Sequence, residues 1–219
     1  MTTTIERPIL FNGAMVRAIL EGRKTQTRRV VKNLEGRPAN SWTLHRAAGC
    51  ADSWSSDSGW TGRCPYGQPG DRLWVREAFQ PLFADGVENH WETDWKTGKG
   101  YAISYPATDG IHEYLDADDN LTDACKPSIH MPRWASRILL EITAVRVERL
   151  QDISEADARA EGVTDGGCLN CGEPEPCGCA QPAPDARDSF CRLWQSINGP
   201  GSWADNPWVW IVEFKRVQP

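Results

Sequence analysis

Thirteen residues, Ile138 to Leu150, read ILLEITAVRVERL. Apolar side chains recur at every second position from Ile138 to Ile142 and again at Val145 and Val147, the two-residue period that lays one face of a strand against a core. A run this long and this rich in β-branched residues predicts a central strand of a sheet. The remaining segments must then supply its neighbours and a few helices to cover it.

Those neighbours are legible along the chain. Ile9 to Phe11 is a short apolar run stopped by Asn12-Gly13, after which Met15, Val16, Ile19 and Leu20 recur at helical spacing. Gly22 stands where a left-handed helix stop is expected, and the Thr, Val and Arg residues up to Val31 suit an exposed strand. "PGDRLWVREAF" reads as a turn feeding a strand from Leu73 to Phe79, with shorter strand candidates near Trp91 and from Tyr101 to Tyr105. The acidic run Asp116, Asp118 and Asp119 is a solvated loop without chemistry. Ser154-Glu155-Ala156-Asp157 offers a capping box for a helix ending at Glu161-Gly162. Ala186 to Ile197 is an amphipathic helix, and "PWVWIVEFKRV" is the last strand. The fold class is therefore mainly β with helices, α+β, in one domain spanning 1–219. Insertions fall at about 33–70, 81–130 and 163–185; the first, rich in Ser, Gly, Ala and Trp without period, reads as a long loop.

The chain of 219 residues has ordinary apolar (40%) and charged (25%) fractions, but eleven tryptophans exceed what packing needs, so some are expected to face a ligand. No apolar run suits a membrane span or a secretory signal, and the expectation is a cytoplasmic protein. A net charge of −6 argues against broad, sequence-blind nucleic-acid binding. Residues 1–32 nevertheless hold seven cations against Glu6 and Glu21, net +5, leaving −11 on the other 187 residues. Electropositive character is thus confined to one small site.

That site is "EGRKTQTRR", residues 21–29. Its cations and threonines fit either a solvated basic strand or a lysine and a threonine held together over a ligand. A second cluster is "CLNCGEPEPCGC", which sets Cys168, Cys171, Cys177 and Cys179 in the spacing C-x2-C-x5-C-x-C. Two close thiolate pairs around a Gly/Pro turn suit a tetrahedral structural zinc, with no open coordination position for catalysis. Cys50, Cys64 and His45 are scattered, as small buried residues are, and are not read as a second metal site.

Four stretches in order, "ILEGRKTQTRR", "PGDRLWVRE", "LEITAVRVERLQDISEADARAEGV" and "WVWIVEF", resemble the ASCH domain. The resemblance covers about half of the chain and implies a PUA-like β-barrel. The whole looks like ASCH proteins of tailed phages and prophages, which implies a bacterial-host cytoplasm and a nucleic-acid-related role. Compact members include bacterial N4-acetylcytidine amidohydrolases, in which a lysine and a threonine of G-x-K-T-x-T-x-R and a later glutamate are catalytic. Position by position, the resemblance implies Lys24, Thr27 and Glu161 as catalytic residues and Arg29 as the motif's arginine. It implies hydrolysis of an N4-acyl group from a cytidine-type nucleoside or modified base, with no cofactor for catalysis. The amidohydrolases are about half as long, so the insertions reshape whatever pocket exists.

The residue types suit the chemistry. Amide hydrolysis needs a nucleophile, a group to take its proton and an acid for the departing amine. Burial or the neighbouring cations Arg23, Arg28 and Arg29 would lower the proton affinity of Lys24. Thr25, Glu77, Arg133 and Trp134 are candidate substrate contacts, the tryptophan by stacking on a base. Two alternatives stand beside the hydrolase: a non-catalytic module that binds RNA, single-stranded nucleic acid or a modified base, and a ribonuclease. One geometric condition divides them. Positions 24 and 27 have opposite parity, so a regular strand would send them to opposite faces.

Overall fold

The structure, a computed structural model, describes residues 4–32, 39–46, 52–83, 92–93, 100–115, 120–164 and 186–218. In chain order the elements are β1 (Glu6–Leu10), α1 (Gly13–Leu20), β2 (Gln26–Val30), β3 (Trp42–His45), β4 (Ser53–Ser56), β5 (Thr61–Gly62), β6 (Arg72–Arg76) and β7 (Gln80–Phe83). There follow β8 (Glu92–Thr93), β9 (Gly100–Ser104), α2 (Pro106–Asp109), β10 (Tyr114–Leu115), β11 (Leu121–Thr122), β12 (Leu139–Arg149), α3 (Glu155–Ala160), α4 (Ala186–Asn198) and β13 (Trp208–Val217). The protein is mainly β with a few helices. No described helix is long and apolar enough to cross a membrane.

The alternating run forms β12, and it lies in the middle of a five-stranded sheet of order β1-β6-β12-β13-β2. By Cα proximity the chain divides into two compact units, one of Met1–Arg7, Ala18–Leu73 and Leu140–Val217, the other of Pro8–Arg17, Trp74–Leu139 and Gln218–Pro219.

In the first unit β2 pairs antiparallel with β13 in regular register, from Val209 opposite Val30 to Glu213 opposite Gln26. Helices α3 and α4 bury Ala158, Phe190 and Trp194 with Leu150, Ile153, Val209 and Ile211. The Ser154 hydroxyl caps α3 by accepting from the Asp157 amide at 3.0 Å, as the capping-box pattern predicts. Residues 33–70 depart from expectation. They are not a loop without structure, because β3, β4 and β5 pair into a three-stranded antiparallel sheet. The reason is aromatic packing that carries no periodic signal. Trp42 lies edge-on to Trp60 (5.0 Å between centroids), Trp208 (5.9 Å) and Trp210 (6.3 Å), and Trp54 packs on Trp210 at 5.7 Å. These five tryptophans therefore pack largely on one another.

In the second unit the 81–130 insertion supplies most of a five-stranded sheet of order β11-β10-β7-β9-β8, with Phe79, Met131 and Ala135 as a small core. The Arg137 guanidinium forms a two-pronged bond to the buried Glu77 carboxylate (3.0 Å on each oxygen) and lies 3.9 Å from the Tyr105 ring centroid. The acidic run at 116–119 and the four cysteines at 168–179 lie outside the described residues.

Candidate active site

Gly22, at φ +77°, stops α1 as expected, and the chain turns directly into Lys24. Lys24 forms an isolated antiparallel bridge with Glu161, the residue that caps the C-terminus of α3. Its neighbour Thr25 donates its amide to Ala160 O (2.8 Å) and accepts from the Phe214 amide (2.8 Å). The end of α3 thus covers the start of β2, which is otherwise an edge strand of the sheet. Close approach is possible because residue 162 is glycine. With φ at +89°, a Cβ there would stand 2.9 Å from the Cβ atoms of both Ala18 and Lys24.

This docking brings two of the three expected catalytic side chains into direct contact. The Lys24 Nζ donates to Glu161 Oε2 at 2.8 Å, to Glu161 O at 2.9 Å and to Gln26 O at 2.8 Å. The lysine side chain is 0% exposed and the glutamate 3%. An ammonium has three protons, and here each has an acceptor. Burial pushes the Lys24 pKa below its ordinary 10.5; Glu161 opposes that fall, while Arg29 and Arg28 add to it.

Arg28 completes the arrangement. Its Nη1 donates to Glu161 Oε1 at 3.1 Å, and Nη2 lies 3.3 Å from Asp157 Oδ2. The guanidinium is fully buried, 5.9 Å from the Phe190 ring centroid, and among the described residues Nε and Nη2 make no hydrogen bond. Beyond it Arg146 pairs with Asp157 (3.1 Å), Glu148 (2.6 Å) and Glu213. Burial would raise the Asp157 carboxyl, but Arg28, the Ser154 hydroxyl and Arg146 together hold it below its ordinary value. Lys24, Arg28 and Arg146 therefore interleave with Glu161, Asp157, Glu148 and Glu213 in one continuous network.

Thr27 belongs elsewhere. In the regular β2 ladder Gln26 and Arg28 share one face, and Thr27 and Arg29 share the other. The Thr27 hydroxyl, fully buried, accepts from Arg29 Nη1 at 2.7 Å. Arg29 also donates to Arg28 O and hydrogen-bonds the Tyr66 hydroxyl, whose pKa burial raises against the pull of that guanidinium. Thr25 is exposed. Glu77 belongs to the second unit, where Arg137 occupies its carboxylate; Trp134, in the same unit, is half exposed.

Family models, curated proteins and solved structures yield no match to this chain. The site must be judged on its own geometry. Sequence reasoning missed Asp157, Arg146, Glu148 and Tyr66. Three of these carried a signal: Asp157 precedes Glu161 by four residues, so both lie on one side of α3, and Arg146 and Glu148 are two apart on one face of β12. Among the described residues no group of three His, Cys, Asp or Glu side chains is placed to hold a metal.

Proposed function

We propose that this chain is an ASCH-type, PUA-like domain that hydrolyses an N4-acyl group from a cytidine-type base, with Lys24 and Glu161 as the proton-transfer pair. The observation that carries the reading is the buried 2.8 Å contact between these two side chains, 137 positions apart in sequence. In a desolvated pair Glu161 can take one ammonium proton, leaving a neutral amine beside a neutral acid. The amine then accepts a proton from an attacking water, which adds to the acyl carbon, and Glu161 returns its proton to the N4 amine as the C–N4 bond breaks. Arg29 holds the Thr27 oxygen on the other face of β2, away from the Lys24 amine. The β1–α1–β2 opening beside a strongly alternating central strand is the basis for proposing a PUA-like parent fold, although the described strands form open sheets with β1 and β2 at opposite edges and no closed barrel; the four cysteines at 168, 171, 177 and 179 are proposed to hold a structural zinc.

A second reading, a module that binds RNA or a modified base without cleaving it, is favoured by one specific observation. Thr27 and Lys24 issue on opposite sides of β2, and the Lys24 ammonium is saturated by three acceptors. Incubation with N4-acetylcytidine, followed by the absorbance change on deacylation, separates the two. Turnover that disappears in Lys24→Ala and in Glu161→Gln supports the hydrolase, and turnover that persists in Thr27→Ala supports water as the nucleophile. Binding of the nucleoside or of RNA without turnover supports the module, and shortened RNA identifies a nuclease.

A further inference from the structure

A cavity of about 110 Å³ in the first unit is lined by Ile5, Arg7, Asp52, Arg63, Cys64, Gly67, Gln68 and Asp71, none of them in the Lys24 network. Asp71 is its buried keystone. One carboxylate oxygen accepts from the Ile5 amide at 3.2 Å, the other from Arg7 Nη1 at 2.8 Å and from the Gln68 amide at 3.2 Å. Three donors, one of them a guanidinium, leave that carboxylate spent. Gln68 is locked in turn, because its Oε1 accepts from the Asp52 amide at 2.9 Å. That bond assigns the amide orientation and leaves Nε2 with both protons unused among the described residues.

The charge balance of the lining decides what the cavity can hold. Arg7 answers Asp71, and Arg46, at 3.4 Å, answers Asp52. Burial pushes the Cys64 thiol up to about 11, so it adds no negative charge at neutral pH. Arg63 is exposed to solvent at the rim, has no partner among the described residues, and is the uncompensated cation of the lining. Arg63 and Gln68, which carry N–H groups without an acceptor among the described residues, and Arg7 therefore line a space large enough for several water-sized groups.

We propose that this cavity binds a small oxyanion, a phosphate or a carboxylate, through Arg63 and the Gln68 side-chain amide. Its backbone and the Asp71 keystone are built before the ligand arrives, and the ligand supplies the counter-charge that Arg63 lacks. The proposal is independent of any catalytic role for Lys24. Isothermal titration of the full chain with inorganic phosphate, acetate, cytidine and cytidine 5′-monophosphate tests it. Saturable 1:1 binding of phosphate or acetate is expected, weakened at least about tenfold in Arg63→Gln, the loss that follows removal of a hydrogen bond to a charged partner. Arg63→Lys keeps the charge and should retain binding within a few fold, and neither variant should lower the melting temperature. Cytidine 5′-monophosphate binding more tightly than both phosphate and cytidine would identify the anion as part of a nucleotide; equal affinity for the monophosphate and phosphate would identify a free anion. Absence of saturation by any oxyanion, or equal affinity in Arg63→Gln, overturns the proposal.

Discussion

Replacing Glu161 by glutamine changes one oxygen for nitrogen and removes the only carboxylate that both Lys24 and Arg28 hydrogen-bond among their described contacts. Both cations have side chains with 0% exposure, so water cannot take over the lost charge without local opening. Two hydrogen bonds to charged groups at about 1.5–3 kcal/mol each give about 3–6 kcal/mol, in line with about 3–5 kcal/mol for breaking a buried ion pair from one side. At about 2–4 °C per kcal/mol for a chain of this size, the melting temperature should fall by about 6–24 °C. Thermal unfolding followed by circular dichroism reads this directly. The pH dependence adds an independent check. The folded Lys24 pKa is already below 10.5. Between that lowered value and 10.5 the unfolded chain binds more protons, so stability contributed by Lys24 rises with pH. Glu161→Gln removes the group that resists the lowering and widens this window. The deficit of the variant should therefore shrink from pH 7 toward pH 10. A loss under about 1 kcal/mol, or a deficit that grows with pH, would refute a desolvated Lys24–Glu161 pair.

Gly162→Ala should cost about 2–5 kcal/mol, from left-handed backbone and from overpacking against Lys24 and Ala18; urea unfolding at parental stability would contradict the close approach. The Asp157 carboxyl is held below its ordinary 3.8, so its stabilising contribution is complete above that value and disappears as pH falls through the lower, folded one. Asp157→Asn should flatten that part of the acid unfolding curve, and an unchanged curve would count against the Arg28 and Arg146 contacts. Arg137→Met strands the buried Glu77 carboxylate and should cost about 3 kcal/mol in urea unfolding, whereas a loss under about 1 kcal/mol would mean that Glu77 is solvated. Elemental analysis should find one zinc per chain, released by a chelator together with four reactive thiols; thiols that react fully without chelator would exclude the cysteine site.

Periodicity and capping chemistry made much of the fold legible. The two-residue period of residues 138–150, the stop at Gly22 and the Ser154 cap all mark local events that a few neighbouring residues decide, and each is present in the structure. The β3–β5 sheet escaped notice because it is organised by tryptophans from β13 that lie some 150 positions away, and such packing leaves no period in residues 33–70. The alternation rule also separates Thr27 from Gln26 and Arg28, as the β2 ladder shows, and Lys24, which precedes that ladder, joins the Arg28 side through their shared contact to Glu161.

By itself, then, the sequence determined the central strand, the ends of α1 and α3 and which side chains of a regular strand share a face, because those properties depend on backbone geometry over two to four residues. Only the tertiary structure decided that α3 returns onto the start of β2, so that Lys24, Arg28 and Glu161 meet in a buried cluster while Thr27 faces Arg29. The physical reason is that an ion pair draws its strength from desolvation and ångström-scale distance, and both are created when the chain closes on itself.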